Sequence, residues 1–534
     1  MNAKLAELAS GVDPDGSTAI HQQVAAGPSL HGRYQALVQS IECENAVSAW
    51  RAGDVDLWPL ARQDLYLDLF RQAGGDTAPR QARFILRAIA SLAVRWTNAW
   101  KSRHDLAHWL PRPHRADAIF LGDGVSLDRV EGAWSDRFGE PIAGALELQG
   151  RSCFVMQGGN LDRLPWMRPT YAANQVAVRG ALTAALRVGP ELTLPDHSAV
   201  MTLLQKAGVS APSLAIERLR RRAAVVDAQA GAFERILRRV RPSVAFVVGH
   251  YAGLGPAFAL ACRRQAILCV DVQHCARDAW HRAYDWPEPP ERGYSTLPGL
   301  FWSWTDADAQ TVRRWSETVD KKWHAAIVGG QTQIAATSDG DRERLWLDAV
   351  GRTGDWRPYE REILVTLQPI GGKRPAWEAL AEQIRSAPAA WRWWIRRHPA
   401  STTGQDREYA PLLAMCQDGV VIGAAAQAPL PALLSHMSAQ VSLASGASVE
   451  AAMFGVPAFF LDAEARDTFP TLIARGQAAM VDVASLVPAI ARLPASRGQT
   501  AVTAPSIDAT LNEVGRMALE YAELCRLSDR AQSA

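Results

Sequence analysis

Several large classes of protein are excluded by what this sequence lacks. Its seven cysteines, Cys43, Cys153, Cys262, Cys269, Cys275, Cys416 and Cys525, are odd in number and never form a C-x-x-C pair. That argues against a disulfide framework or a structural zinc site and for a reducing compartment. No uninterrupted apolar run approaches the roughly 20 residues that span a bilayer. The opening residues, MNAKLAELASGVDPDG, contain acids and no long apolar core, unlike a secretory leader. An excess of one charge is also missing: 57 Lys and Arg face 55 Asp and Glu, leaving a formal net charge of +2. The concentrated basic field of a duplex-binding protein is therefore not expected. The expectation is a cytoplasmic chain, with peripheral association at the inner face of the cytoplasmic membrane left open, and with no nucleic-acid partner.

What is present is length and apolar content, 534 residues of which 48% are hydrophobic, enough for two large cores and an appendage. Residues 1–110 read as a helical appendage; the stretch from Gln81 to Trp100 has apolar residues at helical spacing and no Gly or Pro. Residues 111–325 read as a first α/β domain. It opens on the apolar run of DAIFLGDGVS and contains a βαβ unit from Pro242 to Cys275, with strands at Val244 to Val248 and Ile267 to Val272 around a helix from about Pro256 to Arg264. Residues 326–500 read as a second α/β domain, in which strands such as ILVTLQP, WRWWI and AQVSLAS alternate with helical segments through short connections. AAIVGG, at Ala325 to Gly330, is placed at the junction. Residues 501–534 read as a closing amphipathic helix. The fold class is thus α/β, with two doubly wound, Rossmann-like domains. The tryptophan-rich WRWWI reads as core rather than as a sugar platform.

In open parallel sheets ligands collect beyond the carboxyl ends of the strands, so the informative residues lie at strand exits. In the second domain one exit is RRHPA, with Arg396, Arg397, His398 and Pro399; a histidine there can donate to a phosphate oxygen, or merely turn the chain. Another is SGASVEAAMFGVP from Ser445 to Pro457, where Ser445, Ser448 and Glu450 surround a helix start. Such a start offers amides and a partial positive charge to an anion, and equally suits a plain serine cap with an acidic first turn. The loop around Gln427 can wall a flat base or simply connect two elements.

In the first domain Gln273 and His274 follow a strand, with Asp278, His281, Tyr284 and Asp285 close behind. His274 is a candidate general base, and a nucleophilic role for Cys275 has no assignable supporting triad. His250 and Tyr251 lie in a Gly-rich turn suited to contacting a sugar. After the first strand stand Asp123, Asp128, Asp136, Arg137 and Glu140, of which Asp123 can act as base or close its own turn. The basic bands ERLRRR and RILRRVR are solvated helix faces or attract an anionic lipid surface.

Taken in order, Gln273-His274-Cys275, the LQP at Leu367 to Pro369, RRHP and SGASVEAAMFGVP resemble segments of the GT-B glycosyltransferases of bacterial capsule and lipopolysaccharide assembly. The HP and serine segments are similar to those of sialyl and Kdo transferases. The resemblance implies two domains facing a cleft and a metal-independent transfer from a nucleotide-sugar donor, slightly favouring a CMP-sugar. The acceptor would be a growing surface polysaccharide or lipid-linked glycan, and no cofactor would be required. It implies that His398 contacts the donor phosphate, that Ser445 and Ser448 hold that phosphate and that Glu450 reaches the ribose; Arg396, Pro399 and Gln427 are the other donor-side candidates from their strand exits. His274 becomes the leading catalytic residue with Asp123 as the other candidate, and Gln273, His250, Tyr251, Asp278 and His281 fall on the acceptor side. Cys275 stands where the family has glycine. A nucleotide-sugar 2-epimerase and a non-catalytic nucleotide-sugar-binding protein are the competing expectations.

Overall fold

A computed structural model describes residues 30–73, 114–130, 132–158, 165–186, 189–277, 280–368, 373–398, 406–423, 425–494 and 505–533. The helix expected from Gln81 to Trp100 lies outside them, as do Asp278, Pro369 and Pro399. As far as it is described, the chain divides into two compact units. The architecture is α/β and GT-B-like in having two Rossmann-like domains, each built on a parallel sheet.

The first unit carries strands β1 (Ala118–Gly122), β2 (Cys153–Gln157), β3 (Thr170–Ala172), β4 (Val244–Val248), β5 (Leu268–Val272), β6 (Leu300–Ser303) and β7 (Ala325–Val328). Their order across the sheet is β7-β6-β5-β4-β1-β2-β3, and every neighbouring pair is parallel. A parallel sheet is covered on both faces, so its strands read as continuous apolar runs; every residue of β1, β4, β5 and β6 is buried. The helices Ile216–Val240 and Gly255–Arg264 cover part of it, with the Phe233 and Phe258 rings meeting edge to face at 5.0 Å.

Three segments that the sequence suggests lie outside this first domain are integral to it. Strand β7, the AAIV of the expected junction, pairs with β6 from Leu300↔Ala325 to Ser303↔Val328, so the unit runs on to Ala336. The helices Leu30–Glu44 and Trp58–Ala73 flank a two-stranded hairpin whose Asp56 is fully buried, accepts the Ser295 N–H at 2.6 Å and pairs with Arg292. The Tyr34 hydroxyl, also buried, donates to the Arg62 carbonyl at 2.5 Å. Finally, the closing helix Ile507–Ser533 packs here through Tyr521, whose ring lies 6.2 Å from that of Trp323.

The second unit, centred on Thr337–Thr503 and including Cys275–Trp280, carries β8 (Arg361–Thr366), β9 (Trp391–Arg396), β10 (Val420–Ile422), β11 (Ala439–Ser442), β12 (Ala458–Phe460) and β13 (Ala478–Met480). The order β10-β9-β8-β11-β12-β13 is the 3-2-1-4-5-6 arrangement of dinucleotide-binding folds. The tryptophan-rich strand is core: Trp391, Trp393 and Ile395 face a cluster with Trp377, Leu380 and Ile384 of the helix Arg374–Ser386. The alternate residues face the other layer, where buried Arg392 pairs with Glu362 at 2.6 Å and the Trp394 indole donates to the same carboxylate at 2.7 Å. Among the described residues no helix is long and apolar enough to cross a membrane.

Candidate functional site

Each sheet reverses its strand order once, between β1 and β4 in the first unit and between β8 and β11 in the second. Ligands of open α/β sheets lie at such switch points, outside the carboxyl ends of the strands. The candidate residues at strand exits fall along these two edges, one in each unit.

In the first unit, the turn GHYAGLG after β4 depends on two glycines. Gly249 has φ +70°, and a Cβ on Gly255 would lie 2.4 Å from the His250 carbonyl oxygen, a distance no side chain tolerates. The turn carries His250 inward until it is fully buried, with Nδ1 3.0 Å from Oδ1 of Asp271, the equally buried acid of β5. The rings of Tyr251, Tyr284 and Phe301 surround His250 edge-on at 5.4, 5.1 and 5.4 Å. Tyr251 places its hydroxyl 3.3 Å from Nε2 of His274, the residue leaving β5. The His281 ring lies 5.7 Å from Tyr251 and 5.0 Å from Tyr284. Residues from three separate segments are thereby gathered into one cluster of imidazoles and phenols.

Gln273 is fully buried and acts as a brace: its Oε1 accepts the Trp304 N–H at 2.7 Å, and its carbonyl accepts the Trp304 indole at 2.9 Å. Asp123 closes its own turn. Its Oδ1 accepts the N–H groups of Val125 and Ser126, both at 2.8 Å, and Oδ2 accepts the Ser126 hydroxyl at 2.9 Å.

Beside Asp123 lies Asp136, a more strongly perturbed acid. Its Oδ1 accepts the N–H groups of Phe138 and Gly139 at 3.0 and 2.7 Å, and its Oδ2 accepts the Gln157 amide at 2.5 Å. Burial, reinforced by the charge of Asp123, pushes its carboxyl up to about 7 from an ordinary 3.8. The folded state then holds a proton that the unfolded chain releases near pH 4, so stability is greatest below that pH and is lost as pH rises through 7. Asp136→Asn removes this dependence. Urea unfolding at pH 5 and pH 8 is expected to show the wild type losing about 3 kcal/mol relative to the variant; equal pH responses would refute it.

In the second unit the switch point is stitched by amides and hydroxyls. Gln368, after β8, accepts the Ala444 N–H on its side-chain oxygen at 2.9 Å. Beneath it, Gln440 of β11 donates to the Thr366 hydroxyl at 2.8 Å and accepts the Ser448 hydroxyl at 2.6 Å. Ser442 Oγ accepts the Ser445 N–H at 3.2 Å, and Ser445 Oγ accepts the Ala447 N–H at 3.3 Å, just before the helix Ala447–Met453, whose N-cap position is Gly446. Ser448 is fully buried, and its hydroxyl is spent on Gln440; Glu450 is buried in the same helix. Arg396, at the end of β9, donates to the carbonyls of Ala426 (3.1 Å) and Ala428 and so holds the turn that presents exposed Gln427. His398 lies half-buried two residues beyond β9, and Lys373 pairs with Asp462 at 2.6 Å. The buried members shape this edge, whereas His398 and Gln427 keep solvent access.

Sequence reasoning passed over Asp271 because it sits inside the apolar run LCVDV, where strand composition dominates. The available signal was an ionisable residue in an otherwise fully buried strand. Among the described residues, no group of three or more His, Cys, Asp or Glu is placed to hold a metal ion.

No protein-family model matches this chain, and no curated protein matches it. Among solved structures, the UDP-GlcNAc 2-epimerase of Methanocaldococcus jannaschii is 14% identical with a TM-score of 0.45, over 74% of this chain and 98% of that one. The UDP-GlcNAc 2-epimerase of Neisseria meningitidis is 16% identical with a TM-score of 0.44, over the same shares of 74% and 98%. A glycosyltransferase from Streptomyces nogalater is 16% identical with a TM-score of 0.34, over 78% and 99%. Chemistry must therefore be read from this chain's own side chains.

Proposed function

We propose that this chain is a glycosyltransferase that moves a sugar from a nucleotide donor, preferentially a CMP-sugar, to a growing surface polysaccharide or lipid-linked glycan. The observation that carries this reading is the convergence of His250, Tyr251, His274 and His281 at the carboxyl edge of the first sheet. Transfer requires an acceptor hydroxyl to lose its proton as its oxygen attacks the anomeric carbon, while the bond from that carbon to the donor phosphate breaks. His274 is the base: its Nε2 already lies 3.3 Å from a hydroxyl, that of Tyr251, within the reach that proton transfer needs once an acceptor tightens the geometry. His250, backed by Asp271, is a positioning residue that fixes Tyr251.

Donor binding is assigned to the second unit, whose strand order and switch point match those of nucleotide-binding sheets. His398 stabilises the departing phosphate there, with Ser445 and backbone N–H groups, while Gln427 and Glu450 are assigned to the nucleoside. His398→Ala is expected to weaken CMP binding about tenfold or more, the worth of one hydrogen bond to a charged group. A thermal-shift panel of CMP, CDP, UDP, GDP and their sugars tests the site, since ligand at 100 times its Kd adds about 2.7 kcal/mol of stability. Stabilisation by uridine compounds alone would defeat the cytidine preference. Nucleotide release only when a glycan acceptor is supplied is the expected activity; an epimerised donor formed without acceptor would overturn it.

A further inference from the structure

The N-terminal helix Trp58–Ala73 and the segment after His281 close over the His250 and Tyr251 edge, leaving a small, partly open pocket within the first unit. Its wall includes Leu60, Gln63, His250, Tyr251, Arg282 and Trp286. Two polar groups on that wall are buried and have no hydrogen-bond partner among the described residues, His250 Nε2 and Trp286 Nε1. Burying such a group unpaired costs about 1–3 kcal/mol, and an orphaned polar atom in a native structure signals a missing partner.

Arg282 supplies the charge. Its Nε donates to Gln63 at 2.8 Å and its guanidinium stacks 3.9 Å above the Tyr66 ring. No carboxylate among the described residues forms an ion pair with it, and no acid lines the pocket. The indole N–H and the guanidinium can only donate, whereas His250, with Nδ1 turned to Asp271, offers Nε2 as an acceptor in its neutral form. A guanidinium without a carboxylate partner, beside an unpaired indole N–H, is complementary to an oxyanion.

We propose that this pocket binds the carboxylate or phosphate of an acidic acceptor glycan, a substrate class that rests on reading this edge as the acceptor side. Gln63 holds Arg282 in place, which gives the N-terminal helix Trp58–Ala73 a direct part in choosing the acceptor.

Calorimetric titration of the full chain with inorganic phosphate, D-glucuronate and D-glucose tests this. At least one anion is expected to bind, about tenfold or more tightly than glucose; phosphate alone assigns a phosphate-bearing acceptor and glucuronate alone a carboxylate-bearing one. Arg282→Gln is expected to lower the anion's affinity about tenfold, and Trp286→Phe, which keeps the ring and removes the N–H, about threefold. A thermal unfolding midpoint unchanged in either variant reports an intact fold. Failure of both anions to bind, equal binding of glucose and glucuronate, or an anion affinity that neither substitution changes would overturn the proposal. Loss of the glycosyltransferase reading would instead appear as absent transfer from any nucleotide sugar, with the anion titrations unaffected.

Discussion

His274→Ala is expected to lower kcat for sugar transfer by about 10²- to 10⁴-fold. The donor's affinity should stay within about threefold, because the interaction removed operates on the acceptor proton only as the transition state forms. The geometry behind this is specific. His274 follows β5 directly and meets the Tyr251 hydroxyl at 3.3 Å, while Gln273 anchors the strand end by clasping both the N–H and the indole of Trp304. The imidazole is thus held by a rigid strand exit rather than by a mobile loop. Tyr251→Phe keeps the ring and removes the hydroxyl, so its effect on kcat should be much smaller. Transfer by His274→Ala within about threefold of the wild type would remove His274 from the mechanism.

The second large effect concerns stability. Gln440→Ala is expected to destabilise the second unit by about 3–5 kcal/mol, combining a cavity with two stranded hydroxyls. Gln440 is fully buried between the central strands and joins Thr366 of β8 to Ser448 of the helix Ala447–Met453. Ser448→Ala should cost about 1–2 kcal/mol, and the double variant should cost less than the sum of the two, because both break one chain of hydrogen bonds. Denaturant unfolding followed by tryptophan emission reads this, since Trp377, Trp391, Trp393 and Trp394 belong to this unit's interior. An unchanged midpoint for Ser448→Ala, together with lost CMP binding, would mean that the hydroxyl contacts the nucleotide instead of supporting the crevice. The structure favours support, for an Oγ with no solvent access and a 2.6 Å bond to Gln440 is already satisfied.

How much of the site was legible depends on whether a residue's surroundings are local. His250, Tyr251, His274 and His281 stand out in sequence because each follows or adjoins a strand end, and strand ends of a parallel sheet share one edge. Their convergence needed only the βαβ rule. Asp271 and the orientation of His250 toward it were not legible, since alternation in a fully buried strand carries no sign of which face an ionisable side chain takes. Asp123 and Asp136 are thirteen residues apart, before and at the end of one short hairpin; only packing decides that the second is buried and proton-holding while the first closes a turn. The direction of the Ser448 hydroxyl likewise depends on Gln440, a partner on another element.

By itself the sequence determined the two α/β cores, the alternation of strands and helices, the tryptophan strand as interior and the strand exits as the polar edges. These follow from hydrophobic period, run length and turn chemistry, which act over about ten neighbouring residues. Only the tertiary structure decided that AAIV of β7 completes the first sheet, that the N-terminal helices and the last helix belong to that unit, and that Gln63, Arg282 and Trp286 share a pocket with His250. A short apolar strand pairs equally well with any open sheet edge, and an amphipathic helix covers any apolar face. Their placement is a choice among distant partners, made by packing and buried charge and not by local propensity.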